Sequence, residues 1–235
     1  MPDWVALTGD VPLRCCLFAG YALLTLSTRP SARWALSTVV IVGCAALPAA
    51  RAPDPSSFEL DVTEVTVDAY RSCVEAGVCG APAAGENCNW GLADRANHPI
   101  NCVDWRQATT YCGWAGKRLP TEEEWEVAAR GVLGREFPWG NEPPGKQLCW
   151  GPTSGGHTCP VGSFPAGDNP EGVKDLAGNV WEWTSSAYAP SNPSRVARGA
   201  SWDNGHASYV RSAYRGRYPA EYRDADLGFR CARSR

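Results

Sequence analysis

Eight cysteines spread between residues 73 and 231 constrain this chain more than any other feature. They are Cys73, Cys79, Cys88, Cys102, Cys112, Cys149, Cys159 and Cys231, an even set containing no C-x-x-C pair. Structural zinc sites and thioredoxin-like centres use such pairs, so disulfides are the better use for these thiols. Disulfides persist outside the reducing cytoplasm, and a chain stapled by them can fold around loops rather than long regular elements. Composition agrees: 24 Gly, 19 Pro and 11 Trp in 235 residues describe a loop-rich fold, not a helical bundle. At 44% hydrophobic residues, one domain with a sizeable core is expected. Spacing alone leaves the pairing of the cysteines open.

The first 50 residues read differently. Three further cysteines, Cys15, Cys16 and Cys44, lie in an apolar segment. Arg29 and Arg33 precede the apolar run 34–42, and Ile41-Val42-Gly43-Cys44 fits a bacterial lipobox, with a small residue before a thiol that takes the lipid. On this reading residues 1–50 are a signal, lipoprotein or membrane-anchor segment with Cys44 as the lipidated residue. Residues 51–57 are then a linker and 58–235 the folded domain. The alternative is an uncleaved pair of short membrane segments, 13–26 and 34–47, each shorter than the about 20 residues that span a bilayer comfortably. Export or anchoring at the cell envelope, periplasmic, extracellular or lipid-anchored, is the expectation, with a cytoplasmic protein as the alternative. Net charge is −3 with no basic stripe, so nucleic acid is not an expected partner.

Local signals place the regular elements. Phe58, Leu60 and Val62 alternate as a strand over 58–65. Thr66 suits an N-cap for a helix carrying Val67, Tyr70 and Val74, stopped at Gly77. Asp104 with Gln107, and Thr121 with Glu124, form capping boxes for two more helices. The first turns Ala108, Tyr111, Cys112 and Ala115 inward and ends at Gly116; the second turns Trp125, Ala128 and Ala129 inward and ends at Gly131. Residues 80–97 read as a loop. After Gly131 short apolar runs alternate with Gly, Pro, Asn and Ser, and Trp139, Trp150, Trp181, Trp183 and Trp202 are expected to be core.

The run 175–183, Asp-Leu-Ala-Gly-Asn-Val-Trp-Glu-Trp, combines a tight turn at Gly178-Asn179 with oxygen donors from Asp175 and Glu182 on either side. This run resembles the signature of the formylglycine-generating enzyme (sulfatase-modifying factor) family. Further similar stretches follow the family order: His98-Pro99-Ile100 to Asp104-Trp105, Lys117-Arg118-Leu119-Pro120-Thr121-Glu122, Phe137-Pro138-Trp139-Gly140-Asn141, Arg198-Gly199-Ala200-Ser201-Trp202 and Leu227-Gly228-Phe229-Arg230-Cys231. The resemblance implies an α+β, irregular C-type-lectin-like fold, rich in loops, with two to three helices packed on short antiparallel strands. It implies the disulfide Cys112–Cys231; Cys73–Cys79, Cys88–Cys102 and Cys149–Cys159 are the pairs expected for the rest. The family's earlier strand, with its Gly-Gly-x-Phe-x-Met-Gly pattern, has no match before residue 58.

The resemblance also implies an activity, oxidation of a substrate cysteine to formylglycine by copper held on two cysteines. In this chain those positions fall on Asn204 and Tyr209, and no cysteine occurs from Ala200 to Phe229. Soft Cu(I) needs thiolate, so copper is not expected, and catalytic residues are not assigned. His206 lies between the two positions and is the one candidate for an N/O redox site; His98 reads as a loop residue. One family calcium site is implied on Asp175 and Glu182 side chains with the carbonyls of Gly178 and Val180, where no cation is evident nearby. The family's other calcium site falls on Leu148 and is expected to be lost. Asp203, Glu221, Asp224 and Asp226 read as solvated acids, and Arg211, Arg215 and Arg217 either pair with them or meet an acidic ligand. The expected function is a non-catalytic, calcium-stabilised binding or scaffold module, a pseudoenzyme with a protein, peptide or glycan partner at the cell envelope and membrane contact through its N-terminus. The alternative is a formylglycine-generating-type oxidase or related metal-dependent oxidoreductase.

Overall fold

The computed structural model describes Trp4–Ala6 and residues 53–235. The lipobox with Cys44, the segments 13–26 and 34–47, and Cys15 and Cys16 lie outside the described residues.

Strand β1 (Trp4–Ala6) runs antiparallel to β2 (Phe58–Asp61), which pairs on its other edge with β7 (Ala232–Ser234). Val5 stands opposite Leu60, and Leu60 opposite Ala232. A strand therefore does precede β2, drawn from inside the segment read as an export or anchor sequence. Strand β2 is shorter than the expected 58–65. After Asp61, whose carboxylate accepts from Lys117 Nζ at 2.6 Å and from the Cys231 N–H at 3.1 Å, the chain leaves the sheet. Val65 then donates to the Phe229 carbonyl and accepts from Ile100.

The three helices start where their caps place them. Thr66 Oγ1 accepts the Ala69 N–H and opens α1 (Val67–Glu75), which buries Val67, Tyr70 and Cys73. The Cys73–Cys79 disulfide then staples the helix to its exit loop. The reciprocal box of Asp104 and Gln107 opens α2 (Trp105–Trp114), and that of Thr121 and Glu124 opens α3 (Glu122–Arg130). Each box satisfies two otherwise orphaned N–H groups. Ala108, Tyr111 and Cys112 face inward as expected, but Ala115 is exposed, because α2 ends at Trp114 and Ala115 is its C-cap. Residues 80–97 contain no helix or strand, and Cys88–Cys102 ties this loop down.

The second sheet has the order β5-β4-β3-β6. Strands β3 (Trp181–Ala189), β4 (Asn192–Arg198) and β5 (Gly216–Tyr218) are antiparallel, whereas β6 (Leu227–Gly228) lies parallel to β3. Gly228 fits there because a Cβ would come within 2.4 Å of the Ile100 carbonyl. One core gathers Tyr70, Tyr111, Trp181, Trp183 and Phe229 between α1, α2 and this sheet. A second packs Trp125 and Ala129 of α3 on Phe58 and Leu60 of β2. Removing large apolar side chains of this kind from water contributes about 1.5–3 kcal/mol each. Trp150, Trp181, Trp183 and Trp202 are buried, and the partly buried Trp139 stacks on Phe137 with centroids 5.2 Å apart. Among the described residues no helix is long and apolar enough to cross a membrane.

Candidate functional site

The turn at 175–180 organises the site because several loops bond to its backbone. Asp175, Gly178 and Asn179 all have positive φ, at 54°, 82° and 59°. Glycine is required at the middle position, since a Cβ there would lie 2.3 Å from the Cys149 carbonyl. Asn179 donates to that same carbonyl at 2.8 Å, and its Oδ1 accepts the Cys159 N–H at 2.9 Å. The Cys149–Cys159 disulfide therefore closes a loop that clamps the turn from one side. From the other side Gly178 donates to Gly199, Trp202 donates to Asn179, and Trp181 donates to Asp226.

Beneath the turn lies a charge cluster that the sequence pattern does not assemble. Glu182 is fully buried, and both of its oxygens accept from Arg230, Nε and Nη2 each at 2.7 Å. Its Oε2 also accepts from Trp125 Nε1 at 2.7 Å. Burial pulls the Arg230 guanidinium down, but the charge and hydrogen bonds of Glu182 outweigh it and hold Arg230 above its ordinary value. Glu182 thus has a cation after all, contrary to the expectation of an unneutralised donor. Glu64 shares this interior, and no other residue hydrogen-bonds its carboxylate oxygens. Burial, then the negative charge of Asp175, pushes Glu64 well above the usual carboxylate range. Burial raises Asp175 too, against the Gly162 N–H and Arg230, which favour its ionised form. Neither Glu64 nor Arg230 stands out in the sequence as a site residue; the Gly-Phe-Arg motif is the only signal for the latter.

The donor chemistry suits a hard cation. Three buried carboxylates act on the Arg230 guanidinium, Glu182 through hydrogen bonds and Glu64 and Asp175 through their charge, and oxygen ligands are what calcium takes. Among the described residues no three His, Cys, Asp or Glu side chains form a group able to hold a metal by themselves, so carbonyls such as those of Gly178 and Val180 would have to contribute. Leu148, where the resemblance would put a second calcium site, is buried in the core.

Asn204 and Tyr209, the positions the resemblance aligns with the copper cysteines, carry no thiolate. Asn204 Oδ1 accepts the Ser201 N–H at 3.0 Å and lies 3.2 Å from Ser201 Oγ. Tyr209 is 38% exposed and packs edge-on against Tyr214 with centroids 5.0 Å apart. His206 is exposed. His98 is buried against Thr158 Oγ1 at 2.9 Å and Arg95 at 3.2 Å, and burial, then Arg95, drops it to about 4, consistent with a structural loop residue.

The surface over these positions is tyrosine-rich. Ring contacts run from Tyr209 through Tyr214, Trp181 and Tyr218 to Tyr222. Arg211 pairs with Glu136 and Arg215 with Glu122, acids from other parts of the chain, while Arg217 sits over the Tyr188 ring at 5.4 Å. Asp203 and Glu221 are exposed as expected. Asp224 accepts from the Tyr222 hydroxyl, which raises the phenol to about 12. Asp226 departs from the solvated reading: burial, then Asp224, pushes it up to about 6, and Ser201 Oγ lies 3.2 Å away.

A C-type-lectin-like domain with four disulfides and a tyrosine-rich face is the class these features define. The family profile described as "Sulfatase-modifying factor enzyme 1-like domain" matches residues 38–235, and the chain belongs to that family. Inactive C-alpha-formylglycine-generating enzyme 2 of Bos taurus is 45% identical over 159 residues, covering 60% of this chain and 52% of the relative. Formylglycine-generating enzyme of Streptomyces coelicolor is 38% identical over 172 residues, covering 60% and 54%. The chain spans about half the length of these curated relatives. Among solved structures, PvdO from Pseudomonas aeruginosa aligns with a TM-score of 0.64 at 26% identity, covering 76% of this chain and 80% of that one. Treponema denticola variable protein 1 aligns at 0.61 and 25% identity, covering 75% and 84%.

Proposed function

We propose that this chain is a non-catalytic binding module of the sulfatase-modifying factor family, working outside the reducing cytoplasm and stabilised by its disulfides and a calcium ion. The observation that carries the reading is the replacement of the two copper cysteines by Asn204 and Tyr209. Asn204 is engaged by Ser201, and Tyr209 belongs to an exposed ring cluster, so both positions have other roles. Relatives named as inactive match at 44–45% identity, so the family includes members described as lacking the activity. Eight cysteines paired in four bridges favour an oxidising compartment. An N-terminal lipid or membrane anchor at Cys44 would hold the domain at the cell envelope.

The partner surface is the tyrosine cluster around Tyr209, Tyr214 and Tyr222. Exposed phenol rings offer apolar faces with hydrogen-bonding tips and suit stacking on a peptide side chain or a sugar ring. The rival, an oxidase, is tested directly. The full chain is loaded with Cu(I), incubated with a cysteine-containing peptide, and assayed for aldehyde by hydrazide capture and mass spectrometry. The expected result is no aldehyde above the protein-free control. Turnover that persists in Tyr209→Ala and disappears in His206→Ala would overturn the binding reading in favour of a redox site on unfamiliar ligands.

A further inference from the structure

We infer that Glu64 is a direct ligand of the bound calcium ion, acting with Asp175 and taking the side-chain place that the family pattern gives to Glu182. This deepens the calcium part of the reading above and rests on it. The two buried glutamates are in opposite situations. Both oxygens of Glu182 accept from Arg230, and Oε2 accepts again from the Trp125 indole. Its charge is neutralised, and its lone pairs are largely used. Glu64 is 2% exposed, and no other residue hydrogen-bonds either of its oxygens.

An unpaired carboxylate is seldom tolerated in a protein interior without a proton or a cation beside it. The surroundings of Glu64 add to the demand. Asp175 and Glu182 are the like charges acting on it, and Arg230, the cation within reach, is already bonded bidentately to Glu182. Asp175 accepts one N–H, from Gly162, and so retains lone pairs for an ion. Hard oxygen donors with a net negative charge select calcium over a softer metal. Glu64 immediately precedes Val65, which is hydrogen-bonded to both Phe229 and Ile100, so an ion held here would join the 61–65 crossing to the 175–180 turn.

The test uses the full chain purified in EGTA. Thermal unfolding followed against free Ca²⁺ gives the apparent affinity, and terbium luminescence sensitised by nearby tryptophans gives a second readout independent of stability. Wild type is expected to gain thermal stability on calcium addition and to bind terbium. Glu64→Gln is expected to weaken both responses by about 10-fold or more while remaining at least as stable as wild type in EGTA, because the isosteric amide carries no buried charge. Glu182→Gln is expected to lower stability in EGTA but to keep most of the calcium affinity of the fraction that folds. If Glu64→Gln does not fold, Glu64→Asp keeps the charge and should still lose affinity by moving it back one methylene. Wild-type affinity in Glu64→Gln, or in Glu64→Asp in its place, overturns the assignment. No response in wild type overturns the ion itself, while the aldehyde assay still decides separately whether the chain is an oxidase.

Discussion

The interior beneath the 175–180 turn and the surface from Ser201 to Asp226 are joined by hydrogen bonds, Trp202 to Asn179 and Trp181 to Asp226, yet they carry opposite constraints. In the interior the charge of Glu182 is held by specific partners far away in sequence. Glu182 is bound by Arg230 and Trp125, which lie 48 and 57 residues away. On the surface the side chains of Asn204 and Tyr209 are tied only locally: Asn204 to Ser201, Tyr209 to Tyr214. A change at Glu182 is therefore expected to disturb the fold more than a change at Asn204 or Tyr209.

The sharpest way to break this contrast is Arg230→Met. It strands Glu182 without its cation and should cost about 3–5 kcal/mol, seen as a fall in Tm of roughly 6–20 °C. Adding Glu182→Gln should restore part of the loss; a fully additive double variant would show that the pair is not coupled. Asp226 lies at the border between the two regions and gives an intermediate effect. Its folded value of about 6 exceeds the ordinary 3.8, so between those pH values the folded chain holds a proton that the unfolded chain releases. Stability therefore falls as pH rises from about 4 through about 6, and below about 4, where both states are protonated, the group adds no pH dependence. Asp226→Asn should stabilise the chain at pH 8 by on the order of 1–2 kcal/mol, with the gain vanishing near pH 4. A pH-independent difference between the two unfolding curves would refute the assignment. The smallest effect on the fold belongs to Tyr209→Ala and Tyr222→Ala, each within about 0.5 kcal/mol of wild type. Both should lose retention on the peptide or glycan array that wild type binds, and unchanged retention would move the docking surface elsewhere.

What can be read from the sequence is local or comes with the family pattern. Thr66, Asp104 and Thr121 cap their helices because a cap needs only three residues of spacing. The Gly178-Asn179 turn and the four disulfides also stand as expected. The calcium donors read as free because Asp175 and Glu182 are close in the chain, while the arginine that claims Glu182 is in another motif. Glu64 reads as one residue of a strand, and nothing in its neighbourhood signals an unpaired carboxylate. Strand β1 is illegible for a related reason: its partner β2 is more than fifty residues away, and no family pattern marks it. Ala115 continues the helical stripe in sequence, but the C-cap ends the helix before that period can bury it.

The short segment from Leu227 to Ser234 has a consequence for biogenesis. It supplies β6 to one sheet and β7 to the other, and between them Arg230 for Glu182 and Cys231 for Cys112. Neither sheet nor the longest disulfide loop can be completed until these residues have been synthesised and have reached the compartment where the chain folds. An exported chain would thus cross a membrane unclosed, with Cys112 open to pairing with a wrong thiol. Quality control over such a chain would act at this late segment, and a premature stop before Leu227 would discard both sheets' closure at once.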